Sequence, residues 1–177
     1  EQGKIIRHTI QIDQVDFEVT ATPVYDNEGI EIIGGLLRFE DITEKVKMDK
    51  MLQEAKEKAE REAREAYVRA NQELLASIIY CEAGNQPYEG QVAVGAVIMN
   101  RVKSGSYPNS IEEVIYQSGQ FGPAATGWLN RVRSSKGYSQ TALQAAVDAL
   151  NGSNPIGNCL YFDQGGAGMK IGAHYFH

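Results

Sequence analysis

The chain has 177 residues, 42% of them hydrophobic, which is enough apolar material for one globular domain or two small ones. Its formal net charge of -6 and the absence of any run of 18 apolar residues argue against nucleic-acid binding and against a membrane-spanning helix. Two cysteines, Cys81 and Cys159, are too few for a disulfide framework and read as buried thiols.

Charge divides the chain into three parts. Residues 1–43 hold 3 basic and 9 acidic side chains, residues 44–73 hold 8 and 8, and residues 74–177 hold 6 and 6, so the whole imbalance lies in the first part. The first residues lack the basic-then-apolar order of a secretory signal.

In the first part, "IIRHTIQI", "VDFEVTATPVY" and "IIGGLLRF" are rich in β-branched residues, and the last two are separated by "DNEG". This pattern predicts a three-stranded antiparallel meander. The stretch "FEVTATPVYDNEGIEIIGGLLRFEDITE" resembles the C-terminal half of a PAS sensor domain, including the "DIT" that leads into a helix. The resemblance covers only the last strands, so ligand binding by such domains is not carried over.

Residues 44–73 contain no Gly or Pro and 16 of the 30 are charged, which predicts a long helix. Its apolar stripe runs through Leu52, Ala55, Ala59, Ala63, Ala66, Ala70 and Leu74 with an 11-residue period. That period suits a nearly straight helix, either a solvated connector or a partner in self-association through residues 1–73.

The last part alternates helical patterns with Gly-rich loops. Helices are expected through Ala83, over Tyr88 to Val102 with Val94, Val97, Ile98 and Arg101 on one face, and from a Ser110–Glu113 capping box through Tyr116. A further helix is expected over Gln140 to Leu150, burying Leu143, Val147 and Leu150. "YQSGQFGPAATGW" reads as loop, and "CLYFD" with "KIGAHYFH" as a small closing hairpin.

Within "SIIYCEAGNQPYEGQ", Glu82 stands near a helix end, on the same face as Leu75, Ile78 and Ile79. Desolvation and the negative helix terminus both favour the protonated carboxyl, the state a glycosidase needs in its general acid. The competing reading is a carboxylate turned to solvent or paired with Arg101.

The motifs "LLASIIYCEAGNQPYEGQVAVGAVIMNRV", "YPNSIEEVIYQSGQF", "AVDALNG", "CLYF" and "IGAHYF" resemble, in order, those of the SleB-type cell wall hydrolase family. The resemblance implies a lysozyme-like, mostly helical domain acting on peptidoglycan glycan strands, including spore cortex in germination, by lytic transglycosylation. It assigns the catalytic acid to Glu82, an extracytoplasmic location in the cell wall or spore cortex, and neither cofactor nor metal.

The overall expectation is an α+β chain: residues 1–43 a partial PAS-like meander, 44–73 a charged helical linker, and 74–177 the hydrolase domain. Of the remaining acids in residues 74–177, Glu89 and Asp163 are the candidates for a second carboxylate. Sugars offer hydroxyls and flat apolar faces, so Gln120, Phe121, Tyr161, Thr126 and Glu89 are the candidate glycan-binding residues. Trp128 reads as core or lid, and His174 as a hydrogen-bonded structural histidine.

Three rival readings compete with the glycan acid. A cysteine peptidase would pair Cys81 or Cys159 with His174, and a zinc amidase would draw on His174 and His177. A non-catalytic protein would bind glycan and self-associate through its first two segments.

Overall fold

The computed structural model describes residues 4–29 and 31–177. The chain forms two compact units, Glu1–Glu62 and Ala63–His177.

In the first unit β1 (Ile6–Ile12), β2 (Val15–Tyr25) and β3 (Ile32–Asp41) form an antiparallel sheet in the order β1-β2-β3, as the strand pattern predicts. The register pairs Ile6 with Ala21, Ile10 with Phe17 and Ile12 with Val15, then Val19 with Phe39 and Ala21 with Leu37. Side chains alternate between faces along a strand, so all these apolar residues share one face. The other face carries Arg7, Thr9, Gln11, Asp16, Glu18, Thr20, Arg38 and Glu40. Yet Ile6, Ile12, Leu37 and Phe39 on the apolar face are exposed.

One continuous helix, α1 (Thr43–Ala83), joins the sheet to the second unit's core. Thr43 anchors its start: its hydroxyl donates to Asp41 Oδ1 at 2.7 Å and accepts from the Asp16 backbone N–H at 2.9 Å. From Glu44 to Ala66 the helix is exposed, including Leu52 and most of the alanine stripe; from Leu74 to Ile79 every residue is buried. Further helices are α2 (Tyr88–Lys103), α3 (Ile111–Tyr116), α4 (Gly122–Ala125), α5 (Trp128–Ser135) and α6 (Gln140–Leu150).

Helix α2 is the centre of the second unit. Residues Gly90 to Met99 are all buried, because α2 packs on α6, α3 and the final sheet at once. Gly95 makes the α2–α6 approach close: a Cβ there would lie 2.8 Å from Ala149 Cβ and 3.1 Å from Ile79 Cδ1. The same tightness corrects the expected face of α6. Its buried stripe is Ala142, Ala145, Ala146 and Ala149 with Leu150, while Leu143 and Val147 are displaced to half-buried flanks.

Ser110 and Ser139 cap α3 and α6, accepting from the backbone N–H groups of Glu113 at 3.2 Å and Ala142 at 3.1 Å. The Ser110 hydroxyl also donates to Glu113 Oε2 at 2.7 Å, so the serine and glutamate pair as the spacing suggests.

The segment expected to be loop contains α4 and the start of α5. Gly119 and Gly127 lie outside both helices with φ of 77° and 73°, and Gly122 only opens α4, so the glycines mark helix boundaries. The closing hairpin is one part of a three-stranded sheet: β4 (Phe162–Asp163), β5 (Met169–Ile171) and β6 (His174–Phe176), ordered β4-β6-β5.

Candidate functional site

The last turn of α1 delivers Tyr80, Cys81 and Glu82 to one wall of a cleft of about 440 Å³, completed by Gly84, Asn85, Trp128 and Gln164. Burial upstream fixes the direction of Glu82: Leu75, Ile78 and Ile79, on its helix face, are wholly buried. Behind it, Gln86 holds the turn in place, accepting from the Ala173 N–H through Oε1 at 2.8 Å and from the Gln91 side chain through its carbonyl at 3.1 Å. These two glutamines of the motif thus tie the turn after Glu82 to the β5–β6 connection and to α2.

Glu82 is half-buried, and burial raises its pKa above the ordinary carboxyl value. Among the described residues its side chain has no hydrogen bond or ion pair, and no basic residue occupies the last turn of α1. Arg101 is engaged elsewhere. Its Nε donates to the Leu160 carbonyl at 2.7 Å, and its guanidinium lies 5.1, 5.3 and 5.4 Å from the rings of Tyr107, Phe121 and Tyr161. Glu82 is therefore neither paired with Arg101 nor turned wholly to solvent.

The cleft has one carboxylate among its lining residues. Glu89 is exposed in the first turn of α2, where its charge complements the helix N-terminus. Asp163 is exposed and occupied: Oδ1 accepts from the Gly165 N–H at 2.8 Å, and Oδ2 lies 3.3 Å from His177 Nε2. Those partners, the Gly165 N–H first, hold its pKa below the ordinary value.

The expected glycan-binding side chains are scattered. Phe121 is buried in the core, beside Phe162 and against Arg101. Tyr161 is exposed, but its ring stacks on His177 at 5.6 Å and covers Arg101. Gln120 is half-buried at the turn before α4, and Thr126 is exposed at the end of α4. None of them, and not Glu89, lines the Glu82 cleft.

Tyr80, Asn85 and Gln164 line the cleft without having been anticipated, and Trp128, read as core or lid, is 41% exposed there. Asn85 lies inside the motif that drew attention to Glu82. Gln164 follows β4 in a stretch with no distinguishing local pattern.

The rival nucleophile is badly placed. Cys81 has its pKa pushed up to about 11, by burial first and then by the neighbouring Glu82 carboxylate. Both cysteines are free and half-buried. His174 is buried against Phe162 and Phe176, its pKa lowered by burial. Its Nδ1 has no hydrogen-bond partner among the described residues, so it is a packed histidine rather than the hydrogen-bonded one expected. Among the described residues no three His, Cys, Asp or Glu side chains cluster as metal ligands would.

Comparison with known proteins decides the family. The family described as Cell Wall Hydrolase matches residues 85–176, a stretch that begins three positions after Glu82 and includes Trp128 and Gln164. The chain belongs to the cell wall hydrolase family. Similar curated members include the spore cortex-lytic enzyme of Bacillus cereus, 42% identical over 90 residues, covering 51% of this chain and 33% of that protein. That of Bacillus subtilis is 42% identical over 89 residues, covering 50% and 28%. The chain thus spans about a third of the length of the curated family members it matches.

Two solved structures share the fold. The catalytic domain of the Bacillus cereus SleB protein has 36% identity and a TM-score of 0.53, covering 61% of this chain and 89% of that one. The catalytic domain of the germination-specific lytic transglycosylase SleB from Bacillus anthracis has 37% identity and the same TM-score, covering 60% and 92%. The family's α+β fold is therefore the fold of this chain's second unit.

Proposed function

We propose that the Ala63–His177 unit cleaves peptidoglycan glycan strands by lytic transglycosylation, with Glu82 as its single acid and base. The observation that carries this reading is a cleft whose one lining carboxylate is unpaired and held toward its protonated form by burial. The spore cortex-lytic enzymes among its relatives favour cortex as the substrate and germination as the occasion. An extracytoplasmic place of action follows from such a substrate.

The chemistry needs one proton carrier. Glu82 gives its proton to the oxygen bridging N-acetylmuramic acid and N-acetylglucosamine as the bond from that oxygen to the muramic anomeric carbon breaks. The resulting Glu82 carboxylate then takes the proton of the muramic C6 hydroxyl, whose oxygen closes on the anomeric carbon. A 1,6-anhydro ring forms, the glucosamine leaves with a free hydroxyl, and Glu82 is protonated again. No water enters, so no second carboxylate is required to activate one. Gln120 and Thr126, on the segment leading to Trp128, are the proposed contacts for sugars beyond the cleft.

Mass spectrometry of soluble fragments released from purified peptidoglycan and from spore cortex tests this directly. Ends of 1,6-anhydromuramic acid from the wild type, and none from Glu82→Gln, are expected. Reducing muramic ends would instead establish hydrolysis and require a second carboxylate. No fragments from either substrate would leave a glycan-binding role.

For the first unit we propose weak self-association through the apolar sheet face, with a second copy as its occupant. Three strands about 4.8 Å apart and 7 to 11 residues long give a face of roughly 450 Å² in projection. That is below the roughly 800 Å² per partner typical of a stable complex. A dimer forming only at high concentration is expected in sedimentation, and a monomer at millimolar concentration would overturn it.

A further inference from the structure

We infer that Trp128 is a sugar-stacking platform beside Glu82, taking the flat face of an uncharged N-acetylhexosamine ring; this rests on the glycan-cleaving reading of the cleft. Helix α5 is anchored by Leu129 and Val132, both buried, which are one turn apart on its inner face. Trp128, four residues before Val132, stands at the edge of that face where the helix opens. It is 41% exposed and it lines the cleft that also holds Glu82.

Its position is set by the backbone. Gly127 precedes it in the left-handed region, with φ of 73°, and lets the chain turn from α4 into α5 with the indole at the first helical position. A lone exposed aromatic is common on protein surfaces and by itself calls for no partner. Here the exposed ring shares a cleft with a half-buried, unpaired carboxyl group, and that conjunction gives it a role.

The rest of the lining defines the ligand. Asn85 and Gln164 carry side-chain amides, each able to donate and accept, which suits hydroxyl and acetamido groups. Among the described residues no Lys, Arg or His lines the cleft, so nothing there selects for an anion. A pyranose ring offers an apolar face to the indole and a polar rim to the amides.

The chain contains a single tryptophan, so its fluorescence reports on this residue alone. The experiment is a titration of the 177-residue chain carrying Glu82→Gln with the N-acetylglucosamine hexasaccharide, followed by Trp emission, together with sedimentation of the same variant on insoluble peptidoglycan. A saturable blue shift is expected. In steady-state cleavage Trp128→Ala should raise KM about tenfold, with the smaller part of the loss in kcat, and Trp128→Tyr should recover most of it.

Unchanged emission with the hexasaccharide while Glu82→Gln still sediments with peptidoglycan would overturn the platform, as would an unchanged KM in Trp128→Ala. If the wild type neither binds nor cleaves peptidoglycan, the glycan-cleaving reading falls and takes the platform with it. Glu82-dependent cleavage without any response at Trp128 removes the platform alone.

Discussion

Glu82 and Trp128 line one cleft, the first from the last turn of α1 and the second from the first residue of α5. Since burial raises the Glu82 pKa, the fraction of the protein holding the proton proposed for catalysis falls only above the ordinary glutamate range. The kcat/KM profile for peptidoglycan is therefore expected to lose activity along a limb whose midpoint lies above about 4.3. Glu82→Gln should reduce turnover by at least about 10²-fold and abolish that limb. A midpoint at the ordinary value would contradict the burial.

The same shift affects stability. Between the ordinary glutamate pKa and the raised one, the native state binds more protons than the unfolded chain, so Glu82 makes the fold less stable as pH rises through that window. The amide introduced by Glu82→Gln has no proton to lose in this range. Thermal melts should place Glu82→Gln above the wild type at pH 7, and the difference should shrink as pH falls through that window and level off below about 4.3. A constant difference would mean that Glu82 is not desolvated.

Gly95→Ala should destabilise the second unit by about 1–2 kcal/mol in denaturant melts, because the added Cβ meets Ala149 Cβ and Ile79 Cδ1. The gain in helix propensity, up to about 1 kcal/mol, offsets only part of this. In a double-mutant cycle with Ala149→Gly the two substitutions should couple favourably, since the second removes the atom that the first one strikes.

Cys81→Ala should retain cleavage within about threefold of the wild type, and iodoacetamide should label Cys81 slowly at pH 8, where a thiol of pKa about 11 is almost wholly protonated. The substitution is the cleaner test, because Cys81 lines the cleft and an attached group would obstruct it. Complete loss of cleavage in Cys81→Ala would revive the thiol nucleophile.

Arg101→Lys should lower stability by about 1–3 kcal/mol despite preserving the charge. An ammonium cannot reproduce both the hydrogen bond to the Leu160 carbonyl and the planar stacking among Tyr107, Phe121 and Tyr161. Unchanged melting would show that the rings do not depend on the guanidinium.

The elements that follow from local rules were legible in the sequence. β-Branched runs parted by "DNEG" marked the strands, the absence of Gly and Pro gave the long helix, and Ser110 marked the start of α3, whereas the cap that Ser139 makes on α6 was not anticipated. Helical spacing puts Glu82 below Leu75, Ile78 and Ile79, but that spacing fitted a solvent-facing carboxylate as well, and the family resemblance of the motif around it is what singled it out as the acid. Local pattern did not decide the buried face of α6, where Gly95 on another helix selects alanines over Leu143 and Val147. Nor did it show that Phe121 and Tyr161 surround Arg101 while Trp128 faces the cleft.

What the sequence by itself determined was the candidate acid and the type of each long element, since both depend on residues within a few helical turns or one strand. The tertiary structure alone decided what surrounds that acid. Tyr80 and Asn85 are near Glu82 in the chain, but Trp128 and Gln164 share its cleft only because the fold brings the start of α5 and the segment after β4 to the same place as the last turn of α1. Such contacts between distant segments leave no periodic trace in either one, because each segment's pattern records its burial and not the partner that buries it.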